Sequence, residues 1–182
     1  MKKSSIILLV ILMGACTTQS LKTAYDKQAT FIENFVAAQM KKDTTATLTE
    51  SGGAYRLTLH DTLKNQPAPL EWGGKVSLLY ACYTLTGATI STSNLVATNI
   101  KEVATHAGWK LTDTTIYKPD TLTLNKNLVP GLADGLEGVR PYDEGYILFT
   151  GQYGFGSAEK GTIPANSALA YYFFIENVAN EK

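Results

Sequence analysis

The side chains that most often perform covalent or metal chemistry are few in this chain, and they lie far apart. The two histidines, His60 and His106, have no cysteine or carboxylate at the spacing of metal ligands. The glycine-rich stretch Gly151–Gly156 lacks both the spacing and the Lys-Ser/Thr pair of a phosphate-binding loop. No serine lies in a nucleophile elbow. These patterns argue against a hydrolase, a kinase or a metalloenzyme, and we expect surface histidines and no cofactor.

The two cysteines have different surroundings. Cys82 lies inside an apolar stretch, which predicts a buried thiol that packs as a small hydrophobic group. Cys16 follows a basic start at Lys2 and Lys3, the apolar run Ile6–Met13 and two small residues. This order is typical of a secretory signal peptide, and the apolar run is shorter than the roughly 20 residues needed to span a bilayer.

The end of this segment, Met13-Gly-Ala-Cys16, resembles a bacterial lipoprotein signal. The resemblance implies a signal peptide over residues 1–15, an acylated Cys16, and a lipidated tether over residues 16–20. Thr17 after the cysteine is similar to lipoproteins sorted to the outer membrane, so the expected location is the cell envelope, at the outer membrane facing the periplasm. Ordinary secretion, with Cys16 unmodified, is the alternative.

Charge limits the class of partner. The chain has 16 basic and 16 acidic residues, and removal of Lys2 and Lys3 with the signal leaves 14 basic residues against 16 acidic ones. A net charge of about −2 argues against nucleic acid as a partner. No second long apolar run follows the signal, so the lipid is the expected membrane attachment. A length of 182 residues suits one domain with an appendage.

The elements that must position a site begin with a helix. Apolar residues recur at spacings of three and four between Leu21 and Lys42, which predicts an amphipathic helix. Together with a threonine-rich linker it occupies residues 21–52. We expect this helix to pack on the domain, and self-association through the same surface is the alternative.

From Gly53 onward the pattern predicts strands and one short helix. Proline opens the helical segment, where Leu132, Leu136 and Val139 share a face. About five strands around one short helix indicate an α+β domain with an antiparallel sheet wrapped on the helix. The predicted strands lie at residues 55–59, 76–85, 121–124, 146–150 and 169–175.

Three segments in a fixed order give this pattern a family likeness. They are Gly74-Lys-Val-Ser-Leu-Leu-Tyr80, Leu128-Val-Pro-Gly131-Leu-Ala-Asp-Gly-Leu136, and Tyr153-Gly-Phe-Gly156 followed by Ile163-Pro-Ala-Asn-Ser-Ala-Leu169. Together they resemble the FKBP family of peptidyl-prolyl cis–trans isomerases. The resemblance covers residues 53 to about 178. It implies an FKBP-like domain over residues 53–182 that isomerises unfolded or proline-containing polypeptides without a cofactor.

The resemblance also implies a set of site residues. Six of them would form an apolar cup, in which the N–H of Val129 serves as the backbone donor to a ligand carbonyl. Ile90 and Ser91 stand where the family has Phe-Asp, and Phe155 stands where it has a tyrosine. Asp120 falls near another aromatic position. The six cup residues are Tyr80, Leu128, Val129, Leu132, Ile163 and Tyr171.

These substitutions imply weakened catalysis, so two alternatives stay open. One is a catalytically inactive peptide-binding module, and the other is an envelope-assembly component that uses the helix over residues 21–42 as its contact. Residues 94–117 are longer than the family's usual crossing and predict an inserted short helix and an extended piece around Trp109. The insertion could cover the pocket or extend its surface. The sequence leaves the oligomeric state open.

Overall fold

The computed structural model describes residues 5–59 and 67–180, with side chains from residue 18 onward. The predicted signal peptide begins outside this part of the chain. The side chain of Cys16 and the whole of His60 also lie outside it. Lipidation of Cys16 therefore stays a prediction. His106 is exposed and Cys82 is buried, as the sequence predicted.

One long helix precedes the sheet. Helix α1 covers Ser5–Lys42 and ends with Lys41 and Lys42, whose charges suit the carbonyl end of a helix. It contains the predicted helix over residues 21–42, and residues 16–20, which were expected to form a tether, are helical too. In the part of the chain that the structure describes, no helix combines the length and hydropathy needed to cross a membrane.

Over the described residues, the sheet has seven strands, all paired antiparallel, in the order β1-β2-β6-β7-β3-β4, and β5 pairs with β3 beside β4. The sequence predicted five of them and missed two. The bounds are β1 Thr47–Ser51, β2 Ala54–Leu59, β3 Lys75–Thr84, β4 Leu95–Thr98, β5 Asp120–Thr123, β6 Glu144–Phe149 and β7 Leu169–Ala179.

The two missed strands correct two expectations. Strand β1 occupies the part of the chain that was expected to be a linker, and all five of its residues are exposed. Strand β4 lies within the expected insertion over residues 94–117 and belongs to the sheet. Helix α2 follows at Lys101–His106, and no strand forms around Trp109. The irregular connection is therefore confined to residues 107–119.

Side-chain alternation gives the sheet two different faces. On β6, Ile147 and Phe149 point to one core cluster, whereas Tyr146 and Leu148 point to the other. Helix α1 covers the second face through Ile32, which is fully buried. The self-association alternative is not needed to bury this surface, because α1 already packs on its own sheet.

Helix α3, Pro130–Leu136, lies against the first face. Proline suits the first helical turn, where its missing N–H has no intrahelical partner. A Cβ at Gly131 would lie 2.3 Å from Cγ of Phe149, and one at Gly135 would lie 2.2 Å from Cγ2 of Ile147. Because neither contact is sterically allowed, glycine at both positions lets α3 sit directly on β6. This close packing fixes the helix end that borders the site.

Candidate active site

A cavity of about 260 Å³ opens between the N-terminal end of α3 and strands β3, β4, β5 and β7. We call it the cup. Its walls are mainly aliphatic and aromatic, and its opening faces solvent. The lining residues are Leu78, Tyr80, Ala97, Asp120, Leu122, Asn127, Leu128, Val129, Leu132 and Tyr171.

Two tyrosines form the aromatic wall of the cup. The rings of Tyr80 and Tyr171 have centroids 6.2 Å apart and are tilted by 41°. The ring of Phe149 stacks behind Tyr171 at 5.9 Å with an interplanar angle of 24°. Phe149 is itself held beneath Gly131 of α3. The wall therefore rests on the same contact that positions the helix.

The backbone of Tyr80 is held by two polar residues at the end of β4. Asn99 is buried; its Oδ1 accepts from the Tyr80 N–H at 2.7 Å, and its Nδ2 donates to the Leu78 carbonyl at 3.0 Å. The Thr98 hydroxyl donates to the Tyr80 carbonyl at 2.7 Å. At this point the partner of β3 changes from β4 to β5, so the side chains supply bonds that a continuous strand would otherwise make.

A backbone donor borders the cup at the start of α3. Val129 has an extended conformation, with φ −56° and ψ 129°, and its carbonyl accepts from the N–H groups of Leu132 and Ala133 at 2.9 Å each. The hydrogen bonds among the described residues include none donated by the Val129 N–H. That donor is therefore available to a guest carbonyl.

Burial raises the pKa values of two tyrosine hydroxyls in the cup and of the thiol behind it. At Tyr80 burial is the main cause of the raised pKa, and the negative charge of Asp120 contributes. Burial also raises the pKa of Tyr171, and it raises that of the neighbouring Cys82 thiol to about 12 despite the Tyr171 hydroxyl beside it. No cluster of three metal-binding side chains exists among the described residues.

The structure brings together five of the residues named from the sequence. Tyr80, Leu128, Val129, Leu132 and Tyr171 all line the cup. They come from β3, from the turn into α3, from α3 itself and from β7.

Two further residues named from the sequence lie close to this core. Phe155 and Ile163 are half-buried and pack against the core cluster beneath the cup, but they do not line the cavity. Asp120, which was expected near an aromatic position, does line it.

Ile90 and Ser91 require a correction. Ile90 packs against two core clusters: one contains Tyr83 and Leu95, and the other lies on the α1 face of the sheet. Ser91 is exposed, and its hydroxyl accepts from a backbone N–H where a short 3₁₀ turn begins. The chain rejoins the sheet after that turn, pairing Leu95 with Tyr83 and Ala97 with Cys82. Ala97 therefore lines the cup where Ile90 was expected.

Several residues of the site were missed in the sequence. Leu78 and Leu122 had a usable signal, because each lies two positions from a named residue on a strand and so shares its face. Ala97 and Asn99 had none, because their roles depend on the register of β4. Asn127 lies in the turn before α3, where side-chain direction does not follow strand periodicity.

Comparisons with known proteins agree with this architecture. No protein-family model and no curated protein matches the sequence. Among solved structures, the three FKBP domains of wheat FKBP73 match with a TM-score of 0.56 and 14% identity, over 75% of this chain and 52% of the wheat chain. FkpA from Escherichia coli matches with a TM-score of 0.55 and 17% identity, over 97% of this chain and 73% of its own.

A peptidyl-prolyl cis-trans isomerase from Pseudomonas syringae pv. tomato also matches, with a TM-score of 0.54 and 16% identity, over 87% of this chain and 96% of its own. The chain spans about half of the wheat structure. These matches confirm the predicted α+β fold: an FKBP-like antiparallel sheet around one short helix, preceded by an N-terminal helix.

Proposed function

We propose that this protein is a peptidyl-prolyl cis–trans isomerase that acts on proline-containing segments of unfolded polypeptides. The observation that carries the proposal is the apolar cup, which has the Tyr80 and Tyr171 rings on one side and the open Val129 N–H on the other. The FKBP-like fold supports the same activity, as does the similarity to the peptidyl-prolyl cis-trans isomerase from Pseudomonas syringae.

The chemistry of the reaction explains why so few charged groups are needed. An X–Pro bond isomerises by twisting about the amide, over a barrier of roughly 20 kcal/mol in water. Twisting removes the amide resonance and with it part of the charge separation of the planar state. An apolar cavity favours the less polar, twisted amide over the planar one. Leu128 and Leu132 contribute aliphatic surface that keeps water from the bound proline.

The Val129 N–H has the orienting role. It would donate to a carbonyl of the bound peptide and so hold the segment on one side of the X–Pro bond while the amide twists. A single hydrogen bond of this kind contributes about 0.5–1.5 kcal/mol. The loss of this donor should therefore weaken catalysis without abolishing the fold.

We further propose that the chain is exported and held at the bacterial outer membrane, facing the periplasm, by a lipid on Cys16. The support is the basic, apolar and small-residue pattern before that cysteine. Metabolic labelling with a radioactive fatty acid should mark the wild type and not Cys16→Ser. Equal labelling of both proteins would contradict the anchor.

The isomerase proposal is tested with a short X–Pro peptide and two variants of one residue. The wild type should accelerate cis–trans exchange. Val129→Pro removes the N–H at a φ of −56°, which proline accepts, and should lower kcat/KM about two- to tenfold. Val129→Ala keeps the N–H and serves as the matched control. An uncatalysed exchange rate with folded wild type contradicts the proposal, and peptide binding without exchange would favour a non-catalytic binding module.

A further inference from the structure

One charged side chain lies in the lining of the cup. Asp120 opens β5, and the other nine lining residues carry no charge. It lies directly opposite Leu78 in the antiparallel pairing of β5 with β3, and both residues line the cavity. Leu122, two residues further along β5, lines it as well, because alternate residues of a strand share a face.

The carboxylate of Asp120 has no cation to balance it among the described residues. The Asp120 side chain takes part in no hydrogen bond or ion pair among the described residues, and Asp120 is only partly buried. A basic neighbour held by the fold would have made Asp120 a structural ion pair. Because Asp120 lines the cavity, its charge is available to a guest in the cup.

The charge of Asp120 acts on the Tyr80 hydroxyl. Burial is the main reason that its pKa is raised, and the negative charge of Asp120 is the second. The field of the carboxylate therefore reaches the aromatic wall at which the proline ring would be placed. At the edge of an apolar cavity such a field is weakened less by water than it would be on an open surface.

We propose that Asp120 is a specificity-determining residue that selects proline segments with a lysine or arginine next to the proline. This inference rests on the proposed isomerase function and names its preferred substrate class. A cation beside the proline gains an electrostatic partner at the rim of the cup. A glutamate or aspartate there meets a like charge and is disfavoured.

The test uses four peptides that differ only in the residue before the proline, with lysine, glutamate, alanine or leucine at that position. A second set varies the residue after the proline. In one of the two sets, wild-type kcat/KM should be about three- to fivefold higher for lysine than for glutamate, at low salt. Raising the ionic strength from about 0.01 M to about 1 M should remove most of the difference.

Two variants of Asp120 and one control complete the design. Asp120→Asn, which keeps the shape of the side chain, should bring the lysine-to-glutamate ratio to about one, and Asp120→Lys should invert it. Glu102→Gln removes a negative charge from the exposed face of α2 and should leave the ratio unchanged. Circular dichroism of each variant reports whether it is folded.

The outcomes separate this inference from the isomerase proposal. Equal turnover of all peptides by the wild type, or a lysine preference that survives in Asp120→Asn, overturns the role of Asp120 and leaves the activity standing. If no peptide is isomerised, fluorescence anisotropy of the labelled peptides measures their binding instead. A lysine preference that Asp120→Asn abolishes then supports the inference, and equal binding overturns it.

Discussion

The two faces of the sheet differ in how completely they are filled. On the α1 face, Ile32, Phe35 and Val36 are at most 4% exposed, and the rings of Phe35 and Tyr146 meet edge to face at 5.0 Å. On the opposite face the core beneath α3 is also buried, but the cup lies open between α3 and the strands beside it.

This difference separates stability from function. A cavity in a protein core is destabilising, so an open apolar cup must be supported by packing elsewhere. Helix α1 supplies that packing on the far side of the same strands. It also holds the loop before β7, because the Tyr25 hydroxyl donates to Oδ1 of Asn166 at 2.7 Å and Gln28 donates to its carbonyl. Changes to the two faces should therefore have separable effects.

The largest expected effect is on the sealed face. Phe35→Ala removes a ring that is 3% exposed and should lower the free energy of unfolding by about 3–5 kcal/mol. Chemical denaturation measures this loss. Isomerase activity per folded molecule should stay the same, because Phe35 does not line the cup.

Met40→Ala is the matched control for that experiment. Met40 lies on the same helix and is 38% exposed, so its truncation should change the stability far less. If Phe35→Ala cost no more than Met40→Ala, α1 would not be packed on the sheet as described. If it removed activity from the folded molecules, the two faces would not be separable.

An intermediate effect is expected at the junction of β3 and β4, where Asn99 supports the backbone of Tyr80. Asn99→Ala leaves the Tyr80 N–H and the Leu78 carbonyl without their side-chain partner and should cost about 1–3 kcal/mol of stability. It should also lower activity, since Tyr80 loses a support for its backbone. Denaturation and kcat/KM are measured on the same samples. Asn94→Ala is the control: it removes a partly exposed amide that donates to the Thr86 hydroxyl and accepts from the Ser93 hydroxyl, far from the cup, and it should change both quantities much less.

The effect that is smallest at neutral pH concerns protonation of Cys82 behind the cup, and it develops only above about pH 9. The pKa of Cys82 is raised from 9.0 to about 12 by burial, so its thiol stays protonated in the folded chain at pH values where the unfolded chain has lost the proton. The unfolded state then binds fewer protons, and stability falls as the pH rises from about 9 toward 12, by at most about 1.4 kcal/mol per pH unit. Denaturation of wild type and Cys82→Ala at several pH values measures this contribution. Parallel pH profiles would contradict it.

Much of the fold could be predicted because burial leaves periodic marks in a sequence. Strands β3 and β7 appear as long apolar and aromatic runs since both lie in the middle of the sheet. Strand β1 leaves no such mark, because it is an edge strand with every residue exposed, and its threonines resemble a linker. The glycines of α3 were visible as a pattern, and their packing role follows from the close approach to Phe149.

The site residues could be predicted only where they lie within a single strand or helical turn. Tyr80 and Leu132 lie in well-marked elements and line the cup. Ile90 and Ser91 matched a family pattern by residue type, yet the chain makes a further turn before it returns to the sheet. A register shift between Cys82 and Tyr83 then places Ala97 in the cup. Registers of this kind are decided by pairing across the sheet, which a single strand's sequence does not reveal.

The central claim is that the cup catalyses isomerisation, and exchange of an X–Pro peptide followed by NMR tests it most directly. The wild type should accelerate exchange. Tyr80→Ala should lose at least about tenfold in kcat/KM, equivalent to roughly 1.4 kcal/mol, whereas Tyr80→Phe, which keeps the ring, should retain most of it. An exchange rate equal to the uncatalysed one in folded, peptide-bound wild type would contradict the account.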